Sequence, residues 1–482
     1  MRLATEFTVR RLLKAACMVF GLLISLAGYA KSQPNIIFIL SDDQDLKSQA
    51  FMAKTQALLG AHGAVFENYF VTASLCCPSR TSILRGQYPH NTRVQGNAPP
   101  EGGFERFRAL GHEQSNVATW LQATGYRTAY FGKFMNGYRA DTHGALPGWS
   151  EWYGSGNGFR NYNYTLNENG ALVAYGDAPN EYLTDVLTRK AAGAIRRAER
   201  AEQPFFLYIS PFTPHTPATW APRHANLFTD AKLPRPPSFN EIDVTDKPDY
   251  VRERPRLSAG HVTSIETLYQ RRLRSLQATD DMVEALIETL KEMGQLNNTY
   301  IIYSSDNGFR MGEHRLLPGK DTAYEEDIRV PLMVRGPRVS AGVRIKPMVL
   351  NIDLAPTLAQ IAGIDPPDFV DGRSFLPLLR NPQRPWRRNF MVGRLQFQGL
   401  EQDQRAGKIR FKALRTHRWT YVEYGGNPNR ELYDLQRDPY QLDNLVQEAN
   451  PTLLRALSSR LDKLSHCKAS GCRRLEDAPL AN

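Results

Sequence analysis

Within this 482-residue chain, five short segments carry residue types suited to chemistry. The apolar run Asn35–Leu40 (NIIFIL) leads into Ser41-Asp42-Asp43-Gln44, and Thr299–Tyr303 leads into Ser305-Asp306-Asn307-Gly308. Arg127–Phe131 leads into Gly132-Lys133, and Pro204–Ile209 into Thr213-Pro214-His215. Asp42, Asp43 and Asp306 offer three carboxylates and Asn307 a neutral amide oxygen. These are hard donors without thiolate or paired imidazole, which favours Ca²⁺ or Mg²⁺ over zinc. Lys133 and His215 add positive or hydrogen-bonding groups, so the set is built to neutralise a multiply oxygenated anion such as sulfate or phosphate. One acidic strand end alone reads as a helix cap or a turn. Four such ends, two acidic and two basic, are hard to explain that way.

The fifth segment, Cys76-Cys77-Pro78-Ser79-Arg80, supplies a nucleophile. Pro78 suits the first turn of a helix reaching about Leu84, and Gly86 suits its end. Cys76 then lies at the positive pole of that helix, where an anion is favoured. Adjacent cysteines in an exported chain otherwise suggest disulfides or a reactive thiol. Cys467 and Cys472, five apart, fit a local disulfide, which leaves Cys76 and Cys77 for another role. A zinc site using His466 is the alternative for that pair, and it lacks the paired ligands of structural zinc.

The elements that must position these groups follow from the pattern between them. Short buried runs alternate with helical periods, which predicts an α/β fold with a large mixed, mainly parallel sheet flanked by helices. Ligands in such sheets sit beyond the carboxyl ends of the strands, so the four strand ends converge on one pocket. An amphipathic helix is predicted from about Ser264 to Met293, stopped by Gly294. Its Asp280 and Asp281 read as solvated or ion-paired structural residues. Trp220 to Gly260 reads as a long irregular excursion, a candidate to line a cleft. Beyond Leu379, a hairpin (Phe411–Arg415 with Trp419–Tyr424) and a helix from about Pro451 to Leu464 predict a small C-terminal α+β domain. The expected divisions are 1–30, 31–379 and 380–482.

Residues 1–30 have a basic start (Arg2, Arg10, Arg11, Lys14), an apolar run from Ala15 to Leu26 and small residues at Gly28 and Ala30. This is the pattern of a signal peptide, and the run is short for a retained span of roughly 20 apolar residues. No stable membrane insertion is expected after cleavage, and the location is exported, periplasmic or secreted. Cleavage lowers the formal charge from +11 to +8. The remaining basic residues are scattered and no reading motif appears, which argues against nucleic acid as a partner. Asn163-Tyr164-Thr165 and Asn297-Asn298-Thr299 are glycosylation sequons.

Cys76 through Gly86 (CCPSRTSILRG) resembles the signature of the formylglycine-dependent sulfatases, Cys-x-Pro-Ser-Arg before a helix and a Gly. Pro34–Gln44, Gly132-Lys133, Pro214–Pro217 (PHTP), Asp306-Asn307-Gly308, Asn351–Leu358 (NIDLAPTL) and Glu431–Leu435 (ELYDL) resemble the family in order and spacing. The resemblance implies an alkaline-phosphatase/sulfatase-like fold. It also implies a maturation enzyme as a partner, which oxidises Cys76 to 3-oxoalanine (formylglycine). Asp42, Asp43, Asp306, Asn307 and modified Cys76 become the calcium ligands, with Mg²⁺ as the other metal to consider. Arg80 matches the residue that holds the formylglycine hydrate. Lys133, His215 and Lys320 match groups that contact sulfate and protonate the leaving oxygen. One hydroxyl of the hydrate attacks sulfur as the alcohol leaves, and loss of a proton from the other re-forms the aldehyde and expels sulfate.

Two departures refine the expectation. Arg85 stands where many sulfatases have Thr, and the histidine that often follows the site lysine is absent. Lys133-Phe134-Met135-Asn136-Gly137-Tyr138 instead resembles N-acetylglucosamine-6-sulfatases and extracellular heparan endosulfatases, as do Tyr88–Asn91, Tyr162–Thr165, Tyr182–Leu187 and Asn298–Ile302. Asn136 is therefore a candidate substrate contact in place of the histidine. Glu313 and His314 read either as substrate contacts or as a surface loop. The expected substrate is 6-O-sulfated N-acetylglucosamine in a glycosaminoglycan-like glycan. Alternatives are an arylsulfatase, a phosphonate or phosphate monoesterase, and a sulfoglycan-binding protein with unmatured Cys76.

Overall fold

The four apolar runs form adjacent parallel strands: β1 (Asn35–Ser41), β2 (Arg127–Lys133), β3 (Phe205–Ser210) and β4 (Thr299–Ser305). The computed structural model describes residues 33–393, 410–425 and 427–480, and the expected signal peptide lies outside them. The strands occupy the middle of a ten-stranded sheet in the order β4-β1-β3-β2. Glu151–Ser155 extends the parallel set beside β2, and antiparallel strands flank it on both sides.

Unbroken apolar runs are what a strand covered on both faces requires. Along β1, Ile36, Phe38 and Leu40 enter one core cluster and Ile37 and Ile39 the other. The second cluster also takes Leu187 of α2 (Leu183–Arg200) and Leu276, Val283 and Leu290 of α3 (Ala259–Glu292). The opposite face is covered partly by α1 (Cys76–Arg85), through Ile83 and Leu84. Register then sets the site: Ser41 pairs with Ser305, so the next residues, Asp42 and Asp306, emerge side by side. Gly132 pairs with Ser210, which brings Lys133 to the same rim.

After Leu379, four antiparallel strands follow: β5 (Asn389–Gly393), β6 (Phe411–Thr416), β7 (Trp419–Tyr424) and β8 (Asn427–Asp434). The predicted helix spans Pro451–Ser465, and a further helix, Ser470–Asp477, was not anticipated. The Cys467–Cys472 disulfide ties the segment between these helices. It takes the place of the alternative zinc site, and His466 is mostly exposed. From Pro34 onward the chain is one compact unit. Arg387, fully buried, binds Asp353 at 2.7 and 2.9 Å and Glu476 at 2.9 Å, joining both parts of it.

Several local expectations change in detail. Asp280 is buried, and its carboxylate accepts from Lys54 N at 3.0 Å and Thr55 N at 2.7 Å. Asp281 is ion-paired with Lys54 and Arg223. The excursion after Trp220 holds only the short turns Pro222–His224 and Asp249–Arg252. Its Leu233 and Pro234 line a cavity of about 230 Å³ together with Asp45, Phe309 and Glu326. Glu313 and His314 are not a surface loop: both are buried, and His314 Nδ1 meets Glu241 at 2.7 Å.

Candidate active site

α1 begins at Cys76 with no side-chain cap, since Leu75 occupies the cap position. Cys76 thus stands at the positive end of the helix dipole. Cys77 N donates to Asn97 Oδ1 at 2.9 Å, which fixes the entry. Gly86 ends the helix at φ 66°, a left-handed residue that only glycine adopts cheaply.

Cys76 Sγ lies 3.8 Å from one oxygen each of Asp42 and Asp43. Together with Asp306 they form a fully buried group whose candidate ligand atoms lie within 4.8 Å of one another. The positive φ of Asp43, 65°, turns its side chain inward at the strand end. Asp43 N donates to Asp306 Oδ1 at 3.0 Å, and Asn307 Nδ2 to Asp43 Oδ1 at 2.8 Å. Asn307 Oδ1 is buried without a hydrogen-bond partner. A knot of three carboxylates with an orphaned amide oxygen suits a hard cation.

Cations close the site. Lys133 Nζ grips both oxygens of Asp42 at 2.8 and 2.7 Å. Lys320 Nζ lies 2.7 Å from Cys76 Sγ and also binds Asp43 Oδ1. His215 Nε2 is 3.5 Å from Asp43 Oδ2, with its side chain 23% exposed, so it stands at the mouth. Arg80 is buried beneath them: Nε binds Asp306 at 2.8 Å and Nη1 donates to Lys133 O and Ser210 Oγ at 2.7 Å each. One guanidinium thus joins α1 to β2, β3 and the end of β4.

The electrostatics follow. Burial opposes ionisation of Asp42, yet Lys133, His215 and Arg80 outweigh it and hold the carboxyl well below its usual range. Burial raises Asp306, and Asp42 and Asp43 add to that against Arg80. Burial also pushes the Cys76 thiol up to about 12 against the pull of Lys133 and Lys320. The arrangement can therefore bind a hard cation in its acidic floor and an oxyanion against Lys133, Lys320 and His215.

The profile of the family described as Sulfatase matches residues 34–364, more than half of the chain and all four strand ends. The chain belongs to the sulfatase family. A second profile, described as N-sulphoglucosamine sulphohydrolase, C-terminal, matches residues 312–467 of this sulfatase. An arylsulfatase of Volvox carteri is 35% identical, covering 96% of this chain and 79% of that protein. An N-acetylglucosamine-6-sulfatase of Capra hircus is 35% identical, covering 93% and 87% respectively. One solved structure, of a protein in complex with its substrate D-glucosamine-2-N,6-O-disulfate, shares the fold at TM-score 0.73. It is 22% identical, covering 89% of this chain and 97% of that one.

Of the expected site residues, the sulfatase brings together Asp42, Asp43, Cys76, Arg80, Lys133, His215, Asp306, Asn307 and Lys320. Asn136 sits one step away, against the neighbouring Cys77: its backbone N donates to Cys77 Sγ at 3.1 Å. Two residues escaped the sequence reading. Arg272 of α3, 2% exposed, donates to Asp43 O at 2.5 Å and Pro214 O at 3.2 Å. Its signal was an arginine beside Tyr269, Leu273 and Leu276 on the buried face of the helix. Phe159 has its ring centroid 4.8 Å from that of His215 and 5.2 Å from Lys133 Nζ. Nothing in its sequence surroundings pointed to it.

Proposed function

We propose that this sulfatase removes sulfate from 6-O-sulfated N-acetylglucosamine in a glycosaminoglycan-like glycan, using formylglycine made from Cys76 and a bound Ca²⁺. The observation that carries the reading is the nucleophile position at the start of α1, flanked by Asp42, Asp43 and Lys320. The fit to a hard cation rests on the three crowded carboxylates and the unpartnered Asn307 Oδ1. Asp42, Asp43, Asp306 and Asn307 would hold the ion, which when bound supplies Lewis-acid polarisation of the sulfate oxygens. Formylglycine, once hydrated, supplies a hydroxyl nucleophile that the buried, protonated thiol cannot match.

The chain's own residues do the remaining work. Lys133 and Lys320 place two ammonium groups where a sulfate's oxygens gather negative charge, a stabilisation realised as the ester bond breaks. His215, at the mouth, protonates the leaving alcohol oxygen. Arg80 keeps the nucleophile's helix in register with Asp306 and the Lys133 backbone. The 6-O-sulfated glucosamine class is supported by the Capra hircus relative and by Lys133-x-x-Asn136-x-Tyr138. The same reading takes residues 1–30 as an export signal, residues 31–379 as the catalytic part and 380–482 as a supporting subdomain. It also takes a formylglycine-generating enzyme as partner, and the periplasm or the exterior as location. Among the described residues, no helix is long and apolar enough to cross a membrane.

A panel of N-acetylglucosamine-6-sulfate, an aryl sulfate and an aryl phosphate, with and without chelator, tests this. The sulfated sugar should turn over with the highest kcat/KM, and Ca²⁺ should restore activity lost to the chelator. Preference for the aryl sulfate identifies an arylsulfatase, and preference for the phosphate overturns the sulfate-ester reading. Binding of sulfated sugar without turnover would make the chain a sulfoglycan-binding protein.

A further inference from the structure

On α3, flanking the arginine that braces Asp43, stand two arginines that have no counter-ion among the described residues. Between Glu266 and Asp280, α3 carries Arg271, Arg272 and Arg274 and no acidic residue. Arg272 turns inward to brace Asp43 and Pro214. Arg271 and Arg274 instead lie over the ring of Trp220, with Cζ 5.6 and 4.7 Å from its centroid. Both are half-buried, and the Nε of each is buried without a hydrogen-bond partner. Among the described residues neither has an ion pair. Arg223, three residues beyond Trp220, differs: Asp185 at 2.6 Å and Asp281 at 2.8 Å neutralise it.

Half-burying a guanidinium whose Nε has no acceptor costs desolvation that the indole contact offsets only in part. An oxyanion would offset it, because the planar fork matches the oxygens of a sulfate or a carboxylate. The indole holds both guanidiniums in place by cation–π contact. The location is specific: Trp220 follows His215 by five residues, and Arg272, between the two arginines, holds the Pro214 carbonyl beside that histidine.

We propose that Trp220, Arg271 and Arg274 form a second anion subsite, binding a sulfate or carboxylate on a sugar unit neighbouring the one that is hydrolysed. This rests on the sulfated-glycan reading above and extends it from a single sugar to a polymer. The subsite contributes affinity for the longer chain and takes no part in the bond-breaking step.

The test is the Arg271→Gln/Arg274→Gln double variant, checked for folding by thermal melting. Steady-state kinetics are measured on N-acetylglucosamine-6-sulfate, on a heparin-type tetrasaccharide sulfated on its neighbouring sugars, and on one whose only further anions are uronate carboxylates. The monosaccharide should be hydrolysed within about twofold of the unsubstituted enzyme, while KM for the tetrasaccharides rises about tenfold with kcat kept. Whichever tetrasaccharide moves more identifies the bound anion. Should the double Gln variant melt early, Arg271→Lys/Arg274→Lys keeps the charge and loses the fork, and an intermediate KM is expected. Unchanged tetrasaccharide KM, or an equal loss on all three substrates, overturns the subsite and leaves the glycan reading standing. An unsubstituted enzyme that hydrolyses an aryl sulfate but neither binds nor cleaves any sugar overturns both.

Discussion

Burial pushes the Cys76 thiol up to about 12, so Cys76 as translated is a poor nucleophile at neutral pH despite two nearby lysines. The surroundings suit an oxidised residue better than a thiolate. Cys76→Ala should therefore abolish sulfate release while calcium affinity, measured calorimetrically, falls by less than about tenfold, the floor of carboxylates being intact. Robust turnover by that variant would contradict the assignment. Lys133→Ala should cost about 10²–10³ in kcat/KM, the scale of removing one charge-stabilising donor from a buried site. It also leaves Asp42 without its closest cation, so a drop in thermal stability should accompany the kinetic loss.

At the scale of elements, strand ends and register do the positioning. Gly308 follows the ligand candidate Asn307, and a Cβ there would lie 2.0 Å from the Glu326 carbonyl oxygen. Backbone has little room to yield, so Gly308→Ala should destabilise by roughly 2–4 kcal/mol in denaturant titrations and weaken calcium binding by displacing Asn307. A variant as stable as the parent would show that this close approach is unimportant. The four strands and α1 were legible in the sequence because two-sided burial leaves apolar runs and because Pro78 and Gly86 mark helix ends locally. Arg272, Phe159 and the Asp280 contacts were not legible, since each depends on partners far along the chain. Asp280, for instance, accepts from Lys54 and Thr55, more than 220 residues away. The helix Ser470–Asp477 has only eight residues, four of them charged (Arg473, Arg474, Glu476 and Asp477), too short a run to announce a helix in the sequence.

For the whole molecule, the C-terminal segment is tied to the catalytic part through buried charge. Arg387→Ala would leave the buried Asp353 without its cation and Glu476 with Arg373 alone, and should cost about 3–5 kcal/mol of stability. Acid sensitivity has a traceable source in His112, whose Nε2 donates to Thr92 O at 2.6 Å and which is 7% exposed. Burial lowers it from 6.5 to about 4. The folded value is depressed, so its contribution is full above pH 6.5 and is lost as pH falls toward 4, by about 1–3 kcal/mol. Melting temperature followed from pH 7 to 4 should fall, and His112→Gln should flatten that slope. An unaltered slope would assign the acid loss to other groups.

The proposed chemistry depends on the chemical state of the Cys76 side chain. Mass spectrometry of the proteolytic peptide spanning Cys76, taken from enzyme that is releasing sulfate, measures that state directly. An aldehyde or its hydrate at position 76 is the predicted result. An unmodified thiol in fully active enzyme would contradict it.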